Sequence, residues 1–421
     1  MATNAPTTIR LLSGGIILLS LSGCVTELTV SRSTASSLSN SNADSILRDF
    51  SEAINTADSG SDFACAEEFG TDFLPALYLR DGSVTVNNAP TEINSQADFN
   101  AVIGAPGYAK VVEEINWCGE LLPNVIGCAP VPGDSFAVVR FTGNAEGILW
   151  AHEYGHTVGL SHTSGASRVM RGTINTANDE VTSDECISFV SKYNPDWPNA
   201  PQVEGGDSRH PALLAALGGR SATGVSIDGH LDHEMGPLPA DVAEFVRQTY
   251  IHGTPMSAAL RYRGSDAARR LEAMLLDPAE RAHHGNIVAV LGAVGDARSA
   301  TILRDYLLAR AQLEVDGAQR RVLTATLMGL GYLAHSVRDG TALQKLLQAS
   351  DPSFWGGSAA ADSLARAAHI GLALSGREEA RGALAGQRDR GLPSVMADEL
   401  LQAHARVASV GLEGYYAHAA D

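Results

Sequence analysis

Three histidines and a glutamate lie within the run His152-Glu153-Tyr154-Gly155-His156-Thr157-Val158-Gly159-Leu160-Ser161-His162. Residues four apart share one face of a helix, so His152 and His156 can turn an imidazole nitrogen toward a single zinc ion at about 2.0–2.1 Å. Glu153 sits one residue round, off the ligand row but beside the metal, where it can take a proton from zinc-bound water instead of coordinating. A third ligand ten residues after the first is out of reach of a continuing helix, so the chain has to turn. Gly159, with no β-carbon, can take the left-handed conformation that ends the helix and returns His162 to the same ion. Three neutral imidazoles leave a fourth position for water, the open arrangement of catalytic zinc, and the pKa of that water falls toward 7.

The run fits H-E-x-x-H-x-x-G-x-x-H, and Met170 follows His162 by eight residues, in Ser167-Arg168-Val169-Met170. On these residues the chain resembles the metzincin clan of zinc metallopeptidases. The resemblance implies that Met170 forms a methionine turn, a soft apolar floor beneath the ligands. It further implies an α+β catalytic domain, a small mixed sheet plus the zinc helix, over residues 44–200. The implied activity is hydrolysis of protein or peptide substrates, with Zn2+ as cofactor and Glu153 as general base. Ser135 to Phe141, just before the zinc helix, resembles the edge strand along which metzincins bind an extended peptide, main chain to main chain. The short spacing to Met170 is similar to that in matrixins and archaemetzincins. Arg171, however, replaces the matrixin proline and no P-R-C-G-type latency sequence precedes the domain, so the resemblance reaches the clan only. Two other readings stand beside the peptidase: an inactive zinc-binding scaffold whose helical repeats bind a partner, and a zinc amidase acting on cell-wall peptide. Glu153 argues against the scaffold, since loss of the base is the simplest route to inactivity.

The elements that position this motif begin after a leader. Arg10 and the apolar run Leu11 to Leu21 have the form of a signal peptide over residues 1–23, too short to span a bilayer. Leu21-Ser22-Gly23-Cys24 resembles the lipobox of bacterial lipoproteins, which implies lipidation of Cys24 and anchoring in the cell envelope, at the outer membrane in a Gram-negative cell because Val25 follows. An ordinary cleaved signal would leave the protein secreted. Residues 24–43 are rich in Ser, Thr and Asn and read as a flexible tether. From Ala43, the residues Ile46, Leu47, Phe50, Ala53 and Ile54 recur at helical spacing. Val84 to Val86, Lys110 to Ile115 and Ser135 to Phe141 read as strands. Without Cys24, an even set remains in a chain expected to leave the cytosol: Cys65, Cys118, Cys128 and Cys186, which reads as two disulfides. Three pairings are possible, and Cys118 and Cys128 are close enough to staple one loop.

Residues 201–240, opening with the Pro- and Gly-rich stretch around Asn199 to Ser208, read as a linker, and 241–415 as an all-α domain. There Leu291-Gly292, Leu330-Gly331 and Leu372-Ala373 recur at 39 and 42 residues, each read as ending one helix and preceding another. Gly295 should break one helix and Asp296 cap the next. These units resemble HEAT-type repeats, a solenoid whose concave face suits a protein partner. Thirty basic against 48 acidic residues give a net charge of -18, which disfavours nucleic acid as a partner. His230-Leu231-Asp232-His233-Glu234 lacks the order of a known ligand motif and is assigned to the linker, and His283-His284 to a helix start within the repeats. The leader makes a first prediction: Cys24→Ser abolishes incorporation of a labelled fatty acid and moves the protein from the membrane pellet to the soluble fraction. Continued labelling of the variant would remove Cys24 as the anchor.

Overall fold

The computed structural model describes residues 26–55, 65, 77–79, 83–141, 145–191, 238–264, 266–311, 315–338, 340–386 and 392–417. The leader, Cys24, most of the 201–240 stretch and the His230 to Glu234 cluster lie outside them. The chain is mixed α and β first and helical afterwards. The mixed part contains β1 (Thr26–Leu28), β2 (Val30–Arg32), α1 (Asn40–Asn55), β3 (Leu77–Leu79), β4 (Thr85–Val86), β5 (Glu92–Ile93) and α2 (Gln96–Ile103). It continues with β6 (Ala109–Val112), β7 (Glu114–Cys118), β8 (Glu120–Val125), β9 (Gly127–Cys128), β10 (Phe136–Val139), α3 (Glu146–Thr157) and α4 (Ser183–Ser191).

The stretch read as a tether is folded from Thr26 on. β1 pairs in parallel with β3, and β2 lies inside a five-stranded sheet of order β4-β2-β6-β10-β9. Leu28 and Val30 alternate into the core. Three of the serines in the stretch are buried with partners: Asn87 Nδ2 donates to Ser31 Oγ at 2.8 Å, and Ser33 and Ser36 share a hydroxyl hydrogen bond of 2.9 Å. Lys110 to Ile115, read as one strand, is two. The chain turns at Glu113, whose N–H donates to Thr91 O, and β6 and β7 enter different sheets, β7 joining the order β5-β7-β8.

Ser135 to Phe141 does not supply an edge. β10 runs between β6, parallel, and β9, antiparallel, and its run Phe136-Ala137-Val138-Val139 is buried throughout, as suits an interior strand. The edge of the sheet on that side is β9. The disulfide Cys118–Cys128 ties the end of β7 to this edge, and Cys65–Cys186 joins residues 121 apart. Helix α1 buries the predicted face, Ala43, Ile46, Leu47, Phe50, Ala53 and Ile54. It backs the histidine-bearing helix α3 so closely that a Cβ on Gly147 would lie 2.7 Å from Phe50 N.

The helical part comprises α5 (Val242–Arg247), α6 (Met256–Leu260), α7 (Ala267–Leu276), α8 (His284–Val294), α9 (Ala297–Ala311), α10 (Gly317–Ser336), α11 (Gly340–Ala349), α12 (Ala361–Ser375), α13 (Glu378–Ala385) and α14 (Ser394–Ala417). α8, α10, α12 and α14 pack in succession, and α9, α11 and α13 each pack on the helix that follows. Gly295 caps α8, and Asp296 Oδ1 accepts from the N–H groups of Arg298 and Ser299 at the start of α9. The Leu-Gly dipeptides are not all helix ends. Gly331 lies inside α10, and Leu372-Ala373 inside α12. The glycines mark backbone contact instead: a Cβ on Gly331 would lie 2.3 Å from Gly371 O, and one on Gly292 2.3 Å from Gly329 Cα.

The two parts share buried contacts at β8. Tyr416 Oη donates to Leu121 O at 3.0 Å and exchanges a 2.7 Å hydrogen bond with Tyr332. Arg320 pairs with Glu113 and Glu114, Arg366 pairs with Glu92, and the Glu399 carboxylate accepts from Gln96 N and Ala97 N at the start of α2. The glycine contacts predict that Gly331→Ala destabilises the fold by about 1–3 kcal/mol through overpacking, despite alanine's better helix propensity. A urea midpoint equal to the parent's or higher would show that α10 and α12 have room between them.

Candidate metal centre

Helix α3 presents His152, Glu153 and His156 from a fully buried turn. It ends as the spacing requires: Gly159 has φ +92°, its N–H donates to His156 O, and Leu160 N–H reaches back to Gly155 O at 2.9 Å. A Cβ on Gly159 would meet nothing within 4 Å, so the left-handed backbone alone selects glycine. The reversed chain carries His162 back over the helix. Met170, wholly buried, lies under the same helix, and a Cβ on Gly155 would fall 2.2 Å from its Sδ. Thr163 N–H donates to Met170 O, closing the loop between third histidine and methionine.

A fourth histidine joins these three. His252 follows Tyr250 and Ile251 in the segment between α5 and α6, 90 residues after His162, and its Nε2 lies 3.2 Å from His152 Nε2 and 3.1 Å from His156 Nε2. The other Nε2 separations are 3.0 Å for His152 and His156, and 3.2 Å from His162 to each of them. A regular tetrahedron with Zn–N bonds of about 2.0–2.1 Å has edges of about 3.3–3.4 Å. Five of the six separations thus come close to that size, and all four ligand nitrogens lie within 4.8 Å of one another. The sequence leads to three ligands and an open fourth position; in the structure His252 stands in that position.

The outer nitrogens fix the tautomers. The Nδ1 atoms of His152, His156 and His252 face the carbonyl oxygens of Val169, Leu160 and Gly127 at 2.8, 2.8 and 3.1 Å. A carbonyl only accepts, so each Nδ1 carries the proton and each Nε2 turns a lone pair inward. Burial, then the neighbouring imidazoles, pushes His152 and His252 well below the usual histidine range, so both are neutral at pH 7. Lone pairs converging at 3.0–3.2 Å repel unless a cation sits among them, and the group can hold a metal ion.

Glu153 is wholly buried beside this group, and neither carboxyl oxygen has a hydrogen-bond partner among the described residues. His252 Nδ1 lies 3.8 Å from Oε1, beyond hydrogen-bond reach. Burial pushes its carboxyl well above the usual range. The carboxylate fits against the edge strand only because residue 127 is glycine: a Cβ there would lie 2.1 Å from Oε1. A pocket of about 20 Å³, room for one water, opens beside His162, His252, Glu120 and Gly172.

His152, Glu153, His156, Gly159, His162 and Met170 are thus brought together from one continuous stretch. His252 and Gly127 are the additions. His252 belongs to no spaced motif, and the only hint in the sequence is a short β-branched and aromatic run, Thr249-Tyr250-Ile251, before Gly253.

Metal removal should be visible as lost stability. With free zinc a thousandfold above its dissociation constant the gain is about 4 kcal/mol, so 1,10-phenanthroline should lower the melting temperature and added zinc restore it, with a much smaller effect in His162→Ala. Identical melting curves with and without chelator would mean that the histidines hold no ion. No protein family, curated protein or solved structure matches this chain, so the function must be argued from the site.

Proposed function

We propose that the chain is a zinc-dependent endopeptidase of metzincin type, with Glu153 as general base and the histidine group as its metal site. The observation that carries this reading is the Glu153 carboxylate: wholly buried, without a hydrogen-bond partner among the described residues, and 3.8 Å from the outer nitrogen of His252, one of the four grouped histidines. Such a group costs folding free energy, about 1–3 kcal/mol or more for an unsatisfied buried polar atom, and it contributes nothing to packing that a leucine would not. Groups held this way cluster where protons are moved. Zinc, when bound, supplies a Lewis acid that polarises a carbonyl oxygen and lowers the pKa of water toward 7. On this reading Glu153 would take the proton that such chemistry releases and return it to the leaving amine. Met170 under the helix supports the same reading. We read the succession of α8, α10, α12 and α14 as a HEAT-like solenoid with a surface for a protein partner, and the envelope as the place of action through lipid on Cys24.

A second reading has an observation of its own. A complete four-nitrogen shell is the mark of structural zinc, and His252 favours an inactive zinc scaffold. The two are separated by assaying the full chain beside Glu153→Ala for zinc content and for cleavage of an unfolded protein and of cell-wall peptide. We expect one zinc in each and a loss of cleavage of about 10²–10⁴-fold in the variant. Equal cleavage by both would remove Glu153 as the base. Zinc in both with no cleavage of either substrate would fit the scaffold or a latent peptidase, and cleavage of cell-wall peptide alone would redirect the assignment to an amidase.

A further inference from the structure

The peptidase reading leaves one segment unexplained, Thr249 to Thr254, which carries His252 into the metal site from the helical part of the chain. Its backbone is held on both flanks. On one side, Ile126 N–H and Gly127 N–H donate to Ile251 O at 2.8 and 3.2 Å, His252 bridges Val125 antiparallel, and Thr254 N–H donates to Pro123 O at 2.9 Å. On the other side, Ile251 N–H donates to Gly172 O at 3.1 Å and Ile174 N–H to Thr249 O at 2.9 Å, with Tyr250 bridging Thr173 antiparallel. The segment thus fills the cleft between the edge formed by Val125 to Cys128 and the loop that follows Met170. Tyr250 and Ile251 are buried in it.

An extended peptide that adds to a sheet edge would need these same main-chain groups. It would also need a free position at the metal, which His252 Nε2 fills, and more room than the pocket of about 20 Å³ beside His162 provides. The Glu153 carboxylate, meanwhile, faces the outer nitrogen of His252 at 3.8 Å and has nothing to accept a proton from.

Resting on the peptidase reading, we infer that Thr249 to Thr254 is a built-in pseudosubstrate strand whose His252 closes the metal's last position, so that the folded chain is latent until an extended peptide or a shift of this strand displaces it. The strand lies between α5 and α6 and is hydrogen-bonded to both parts of the chain: Asn286 Oδ1, on α8, accepts from Thr254 Oγ1 at 2.8 Å and from Asn124 Nδ2 at 3.1 Å. Whatever moves α8 relative to β8 therefore pulls on the strand.

The test uses the full chain loaded with cobalt(II), as the parent, His252→Ala and His252→Gln, each titrated with acetohydroxamate while the visible cobalt band is followed. Glutamine keeps an amide near the Gly127 carbonyl and guards against a folding defect in the alanine variant, and thermal melts check both. The parent band should not respond, and the variant bands should shift saturably. In the zinc forms, cleavage of an unfolded protein should rise on the order of tenfold or more in the variants, because the competent state no longer has to be won from the closed one. A parent band that responds as readily as the variants', or variants that melt like the parent yet hold no cobalt, would overturn the latch. Variant bands that shift without any cleavage would leave the closure standing and remove the peptidase reading, so the two failures are distinguishable.

Discussion

Four imidazole nitrogens gather within 4.8 Å of one another in the interior of this protein, and much of the surrounding structure is what keeps them there. Left to themselves they would repel and rotate to find donors. They cannot, because three outer nitrogens are committed to the carbonyls of Val169, Leu160 and Gly127, on three different pieces of chain. Each of those pieces is itself pinned: Val169 N–H donates to Glu180 O, Leu160 closes the end of the zinc helix, and Gly127 sits on the edge strand that a disulfide fastens at Cys128. The arrangement is a cage for a cation built from backbone geometry outward.

What could be read in advance was local. The spacing of His152 and His156, the turn at Gly159 and the return of His162 follow from helix geometry over a dozen residues, and Met170 follows within the next turn of chain. His252 could not be read the same way. Its neighbourhood in space is set by the docking of the helical part on the sheet β5-β7-β8 and its flank, through Tyr416, Arg320 and Arg366, contacts between residues more than 200 positions apart. Gly127 was equally silent, since its role is the absence of an atom where Glu153 lies. At the N-terminus, composition hid period-two alternation: serines that look solvated in a list are paired inside the sheet. In the helical part the Leu-Gly period was visible but its meaning was misjudged, because a glycine in a helix reads as a stop unless the neighbouring backbone is known.

The helical part is therefore more than an appendage. It caps α2 with the Glu399 carboxylate, buries two tyrosine hydroxyls against Leu121, and sends one histidine into the centre of the other part. The burial of charged pairs at this junction, Arg320 with Glu113 and Glu114 and Arg366 with Glu92, fixes orientation, since breaking one member would leave the other desolvated.

The separation of His162 and His252 has a topological consequence. An ion held by both closes a loop of 90 residues, much as the Cys65–Cys186 bridge closes one of 121, and loop-closure entropy grows so slowly with length that the two clasps restrict the unfolded chain to a similar degree. One clasp answers to redox conditions; the other, with an ion among the histidines, would answer to metal supply. A chain cut between its two parts would then be joined across that ion as well as through the contacts of Tyr416, Arg320 and Arg366.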